Sequence, residues 1–250
     1  MKPFKIDSDD KGRFFNLIII IINVGVLVGI LSFVFIKISS SQVTKLKTDS
    51  SSDSRNQNSV VSEDVPVSAD RLSFLIENNK LDQAQTAITK SVQANDTDPF
   101  NLYLYSFSLF QIGNKEQATF VFYLAQIRTR AYSRLDPDKS ASSALRASFN
   151  DEVGSSVNPW AGSDLDAWKQ IALKAVAYDK KIGYPKKPKF VDSEEKWRKA
   201  VDTESAAYEA ELIEFFATTN KEDFNKQRKE NSLPIGPWEN PGPALPSEWQ

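Results

Sequence analysis

The side chains with which this chain could perform acid–base chemistry are carboxylates, because the sequence contains neither histidine nor cysteine. Thiol nucleophiles, imidazole bases, and the usual zinc and iron–sulfur ligands are therefore excluded. The close acidic pairs are Asp164 with Asp166, Glu194 with Glu195, and Glu211 with Glu214. Two of these pairs begin predicted helices, where the helix dipole favours acids, and the third flanks an apolar stripe. We expect no catalytic activity, no metal and no cofactor; hydrolysis by paired carboxylates is the alternative.

A row of aromatic residues lies on the predicted helix 100–112, FNLYLYSFSLFQI. Its members are Phe100, Tyr103, Phe107 and Phe110, and the opposite face of the same helix is also apolar. A helix that is hydrophobic all round is normally buried on both sides, and an aromatic patch of this size is unfavourable in water. Two interpretations stay open: either the chain's own helices cover this row, or the row is a groove that binds a peptide partner.

An all-α domain is predicted to position these residues. Apolar spacing and cap residues predict helices over 71–79, 81–94, 100–112, 116–132, 140–153, 164–181, 192–218 and 221–230. Asn158-Pro159 and Gly162 predict a loop over 155–163, and Ser163 with Asp166 is typical of a capping box. Residues 183–190, GYPKKPKF, are predicted to be a rigid, solvated basic connector.

The second predicted helix pair repeats the first at a shift of 34 residues. The correspondence places Asn79 on Gly113, Leu75 on Leu109, Ala84 on Ala118, Ile88 on Phe122 and Ser91 on Ala125. With its period and small residues at close crossings, the segment 67–132 resembles the tetratricopeptide-repeat (TPR) family. The resemblance implies stacked helix pairs with the aromatic row in a concave, peptide-binding groove. Residues 133–232 are expected to be further helices that pack on the repeats.

A membrane anchor is predicted over residues 14–37. The uncharged run Phe14–Ile36 has 23 residues and as a helix would be about 34 Å long, enough for a hydrocarbon layer of about 30 Å. Gly25 and Gly29 form a G-x-x-x-G motif, and Ser32 extends the same small-residue face. We expect contact with the lipid bilayer. The small-residue face permits a homodimer through the span, and the alternative is that these glycines only reflect how common glycine is in membrane helices.

The segments that flank the span are polar. Residues 1–13 form a tail with four basic residues, and residues 38–66 form a Ser-rich linker whose composition predicts disorder. The basic residues before the span favour a single-pass protein of the plasma (inner) membrane, with a cytoplasmic N-terminus and an extracytoplasmic or periplasmic C-terminal domain. Residues 233–250 form an extended tail rich in proline and tryptophan, in which Trp238 and Trp249 are expected to anchor on the chain's own helices.

The sequence therefore predicts a membrane-anchored helical scaffold or adaptor that contacts a protein or peptide in the cell envelope. The net charge of the chain is −2, and this mild acidity does not favour nucleic acid as a partner. Two other functions remain open besides the scaffold. One is the envelope hydrolase with paired carboxylates, and the other is a protective or regulatory subunit that inhibits one specific effector.

Overall fold

The computed structural model describes residues 65–250, and these residues form an all-α domain. Within this range the all-α prediction is confirmed. The predicted span, its dimer face at Gly25, Gly29 and Ser32, and most of the predicted linker lie outside the described residues. The helices are α1 (Ala69–Glu77), α2 (Leu81–Gln93), α3 (Asn101–Gln111), α4 (Lys115–Leu135), α5 (Lys139–Ala161), α6 (Leu165–Ile182), α7 (Glu194–Thr218) and α8 (Lys221–Glu230), followed by a 3-10 turn at Ser247–Trp249.

Side-chain caps explain where most of these helices begin. Five of the eight described helices follow a residue whose side chain accepts a hydrogen bond from an amide of the first turn. These residues are Ser68, Asp138, Asp164, Ser193 and Asn220. The capping box predicted at Ser163 and Asp166 is wrong. The cap of α6 is Asp164, whose carboxylate accepts from the amides of Asp166 and Ala167 at 3.1 Å each.

The loop predicted over 155–163 is also wrong, because α5 continues through Pro159 to Ala161. A proline has no N–H to donate to the carbonyl four residues earlier, but here only the last turn of the helix is affected. Packing compensates for the lost bond: Trp160 and Ala161 are buried, and the Trp160 ring lies 4.6 Å from that of Trp238. The tertiary contacts of Trp160 therefore outweigh the local turn signal.

Helix α4 is the centre of the domain. Its side chains are buried around most of its circumference, and it contacts α3, α5, α6 and α7. Among the side chains that are fully buried on α4 are Phe120, Phe122 and Leu124. None of the helices in residues 65–250 combines the length and the apolar character needed to cross a bilayer.

The tail 233–250 folds back on the helices through both of its tryptophans, as predicted. Trp249 is 1% exposed and stacks on Phe120 with ring centroids 5.2 Å apart. The indole of Trp238 donates to the carbonyl of Ala161 at 2.8 Å. Between them, the amide of Gln117 on α4 donates to the carbonyl of Ala244 at 2.8 Å. The tail thus packs against the helices through a few buried side chains.

This packing predicts that the tail stabilises the domain. Trp249→Ala should lower the free energy of unfolding by about 3–5 kcal/mol, because a large buried ring is lost from its stack on Phe120. The measurement is urea denaturation of the full chain. Ile235→Ala is the matched control in the same tail, since Ile235 is 45% exposed, and it should cost about 0.5 kcal/mol or less. Equal effects of the two substitutions would contradict the described docking of the tail.

Candidate functional site

The aromatic row lies beneath α5. Tyr103 is fully buried, its ring stacks on Phe149 of α5 at 5.3 Å, and its hydroxyl donates to Asn150 at 2.7 Å. Burial raises the pKa of Tyr103 to about 12, so the hydroxyl remains a hydrogen-bond donor at neutral pH.

The other three members of the row are half-buried and pack against the same core. Phe100 lies 6.0 Å from the Phe149 ring, and Phe110 lies 6.4 Å from Trp160, with Phe107 also packed on the core. Residues of α5 therefore pack against Phe100, Tyr103 and Phe110.

A second candidate site is a cavity of about 200 Å³ beside the C-terminal half of α4. Four segments line it: the loop between α2 and α3, the C-terminal half of α4, the connector between α6 and α7, and the start of α7. The lining residues are Asp96, Thr97, Asp98, Pro99, Arg128, Tyr132, Pro185, Lys186, Lys187, Pro188, Lys189 and Trp197. We refer to this cavity as the Arg128 cavity.

The connector is held in place by hydrogen bonds to both sides of the cavity. The side-chain amide of Asn95 donates to the carbonyls of Ile182, Gly183 and Tyr184 at 3.2, 3.3 and 3.0 Å. On the other side, the indole of Trp197 donates to the carbonyl of Pro185 at 2.6 Å. The predicted basic connector is therefore a structured wall of a cavity, and its three lysines lie at defined places around it.

Arg128 forms a buried ion pair beside the cavity. Its Nε donates to Oδ1 of Asp179 at 2.9 Å, and the two side chains are 1% and 3% exposed. Burial raises the pKa of Asp179 above its usual value, because desolvation outweighs the attraction and the hydrogen bond of Arg128. Nη1 and Nη2 of Arg128 are buried and have no hydrogen-bond partner in the part of the chain that the structure describes. A charged group with unpaired donors is energetically unfavourable in the interior.

Sequence reasoning did not find this site. Arg128 and Asp179 are separated by 51 residues and lie on different helices, so no local spacing joins them. One signal was available: Arg128 lies four residues after Leu124 and three before Ala131, so it falls on an apolar face of α4, where a charged residue needs a buried partner. The basic connector was identified, but its contacts with Asn95 and Trp197 depend on the tertiary fold.

The acidic pairs serve structural roles. Asp164 caps α6, Asp166 lies 2.6 Å from Lys221, and Glu211 accepts from both terminal nitrogens of Arg130. Glu194 and Glu195 occupy the first turn of α7. Within residues 65–250, no group of acidic side chains is arranged to hold a metal ion.

Comparison with known proteins gives the domain no family. The chain matches no family model, and no curated protein or solved structure is significantly similar to it.

The buried ion pair generates a stability prediction. Asp179→Asn should lower the free energy of unfolding by about 3–5 kcal/mol, because it leaves Arg128 charged and without a counter-ion in the interior. Glu209→Gln is the matched control, since it breaks an ion pair with Lys180 whose side chains are 34% and 50% exposed. That substitution should cost about 1 kcal/mol or less. Chemical denaturation of both full-length variants measures the difference, and similar losses would refute a buried pair.

Proposed function

We propose that this chain is a membrane-anchored scaffold or adaptor of the cell envelope, whose helical domain binds a protein or peptide partner and catalyses no reaction of its own. The proposal combines the predicted anchor at 14–37, the predicted linker at 38–66 and the helical domain that follows. Its N-terminus is proposed to be cytoplasmic and the domain extracytoplasmic or periplasmic, as the basic residues before the span favour.

The scaffold proposal rests on how the helix pairs α1/α2 and α3/α4 stack, which is seen in the contacts of the first helix of each pair. Helix α3 contacts both α1 and α5, while α1 packs on α2 and α3 packs on α4. Helix pairs that stack with their first helices side by side are the arrangement from which TPR-like repeats build a binding surface. This order and the 34-residue sequence repeat together support a TPR-like stack.

The roles of the carboxylates also favour a binding function over hydrolysis. A general acid or base has to be able to reach its substrate with a proton that it can exchange. Asp164 instead accepts two backbone amides, and Glu211 forms a two-point ion pair with Arg130 at 2.6 and 3.0 Å. Both would have to leave these partners before they could act on a substrate.

The binding surface is proposed to lie on the exposed faces of α1 and α5. Phe74 on α1 and Leu145 on α5 are large apolar residues that are each 46% exposed. Both helices are first members of pairs in the proposed stack, so their free faces contribute to the same surface. Ile213 on α7 is 50% exposed but lies outside the series α1–α3–α5.

Site-specific photo-crosslinking in intact cells tests this proposal. A benzophenone side chain at Phe74, and separately at Leu145, should give one and the same protein adduct in carbonate-washed membranes, because both positions face the proposed partner. The same probe at Ile213 is the matched control and should not give that adduct. Absence of the adduct from both test positions, or its equal formation at Ile213, would contradict the proposed surface. Release of the intact chain by the carbonate wash would contradict the anchor.

A further inference from the structure

We propose that the Arg128 cavity binds a small oxyanion, a carboxylate or phosphate compound, through Nη1 and Nη2 of Arg128. The inference concerns a different part of the domain from the proposed partner surface and does not rest on that function.

The guanidinium of Arg128 has one edge in use and one edge without a partner. Arginine carries five N–H donors in a fixed planar fork, and Nε uses one of them for Asp179. The four donors on Nη1 and Nη2 have no partner within residues 65–250. Since Asp179 holds Nε at 2.9 Å, the group is fixed in orientation, and we assign the bidentate contact with an oxyanion to the two terminal nitrogens of this cavity-lining residue.

Arg130, two residues further along α4, provides the geometry of such a contact within the same domain. Its Nη1 and Nη2 donate to the two carboxylate oxygens of Glu211 at 3.0 and 2.6 Å. This is the fork arrangement in which arginine binds carboxylate and phosphate groups. At Arg128, residues 65–250 supply a carboxylate to Nε but none to the other edge, so the proposed ligand takes the place that Glu211 has at Arg130.

The charge around the cavity favours an anion. Four of the lining residues are basic, namely Arg128, Lys186, Lys187 and Lys189, against two acidic ones, Asp96 and Asp98. Asp96 lies 3.9 Å from Lys186, and the carboxylate of Asp98 accepts the amide of Phe100 at 2.9 Å. Both acidic residues therefore have partners. Lys187 donates to the carbonyl of Val191, and Lys189 is exposed at the rim.

The size of the cavity restricts the ligand to a small molecule. Pockets for drug-sized ligands span about 300–1,000 Å³, whereas this cavity is about 200 Å³. Its walls include the rings of Tyr132 and Trp197 and three prolines, so apolar surface surrounds the polar end of the site. One phosphate or a short dicarboxylate fits these dimensions.

Calorimetric titration of the full chain in detergent tests the proposal, with inorganic phosphate and malonate as separate probes against chloride at equal ionic strength. We expect saturable one-to-one binding of at least one probe. Binding of phosphate alone or of malonate alone would identify the class of oxyanion, and binding of both would show that the fork accepts either. Failure of both probes to bind would overturn the proposal.

Variants determine whether the binding belongs to this cavity. Arg128→Met with Asp179→Leu removes the ion pair as a unit, which avoids an unpaired buried charge, and should abolish binding. Lys189→Ala should weaken it by about three- to tenfold, through loss of a rim charge. Lys226→Ala on α8 is the control with the same charge change and should leave the affinity unaltered. Circular dichroism and the melting temperature check the folding of each variant.

Two results would contradict the proposed site. Undiminished binding in a folded double variant would locate the anion elsewhere. If the double variant does not fold, the affinities of Lys189→Ala and Lys226→Ala for the bound probe are compared. Equal affinities of these two variants would overturn the assignment of the anion to this cavity.

Discussion

The fold depends on the burial of α4 around most of its circumference. A helix in this position cannot leave its polar side chains to water, so each of them needs a partner from another part of the chain or from its own backbone. Thr119 and Thr129 donate to the carbonyls of Lys115 and Ala125 one turn earlier, at 2.9 and 2.7 Å. Gln117 and Arg128 have no such local solution and bind groups distant in sequence.

These distant partners explain the arrangement of the outer segments. Gln117 binds the carbonyl of Ala244, which fixes the tail 233–250 along α4. Arg128 binds Asp179, which aligns α6 with the end of α4. The connector that follows α6 is then held between Asn95 and Trp197, and this closes the Arg128 cavity. The cavity thus forms beside the buried charge of Arg128 on the central helix.

At the end of α5, a second buried arginine also binds a group that is distant in sequence. Arg228 on α8 is 3% exposed and donates to the carbonyls of Pro159 and Pro234. Desolvation lowers the pKa of Arg228 to about 10. The last carbonyls of a helix carry partial negative charge, so a cation is favoured there. Arg228 therefore satisfies the end of the helix that contains Pro159 and ties α8 to the start of the tail.

The sequence predicted the helices better than their contacts. Periodicity and end signals are local, so the helices at 81–94 and 221–230 were predicted close to their actual bounds. The end of α5 was missed because the packing of Trp160 on Trp238, 78 residues later, outweighs the local preference of Asn158-Pro159 for a turn. Anchoring of Trp249 could be predicted because a tryptophan in a tail is unfavourable in water, but its stacking partner Phe120 could not.

The candidate sites also divide into features that local sequence predicts and features that depend on tertiary contacts. The aromatic row was visible in the helical spacing of one segment, and coverage of the row was one of two interpretations left open. The structure packs Phe149 of α5 against Phe100 and Tyr103. Arg128 and its cavity were missed, because they depend on four segments that are distant in sequence and meet at one point.

Hydrogen–deuterium exchange of the full chain, followed by mass spectrometry, tests the central role of α4 most directly. Amides of Phe120 to Thr129 should be among the slowest to exchange and should open only with global unfolding, because helices cover them on most sides. Those of the largely exposed α8 should exchange earlier, through local opening. If amides of α4 exchanged as fast as those of α8, the domain would not be built around this helix.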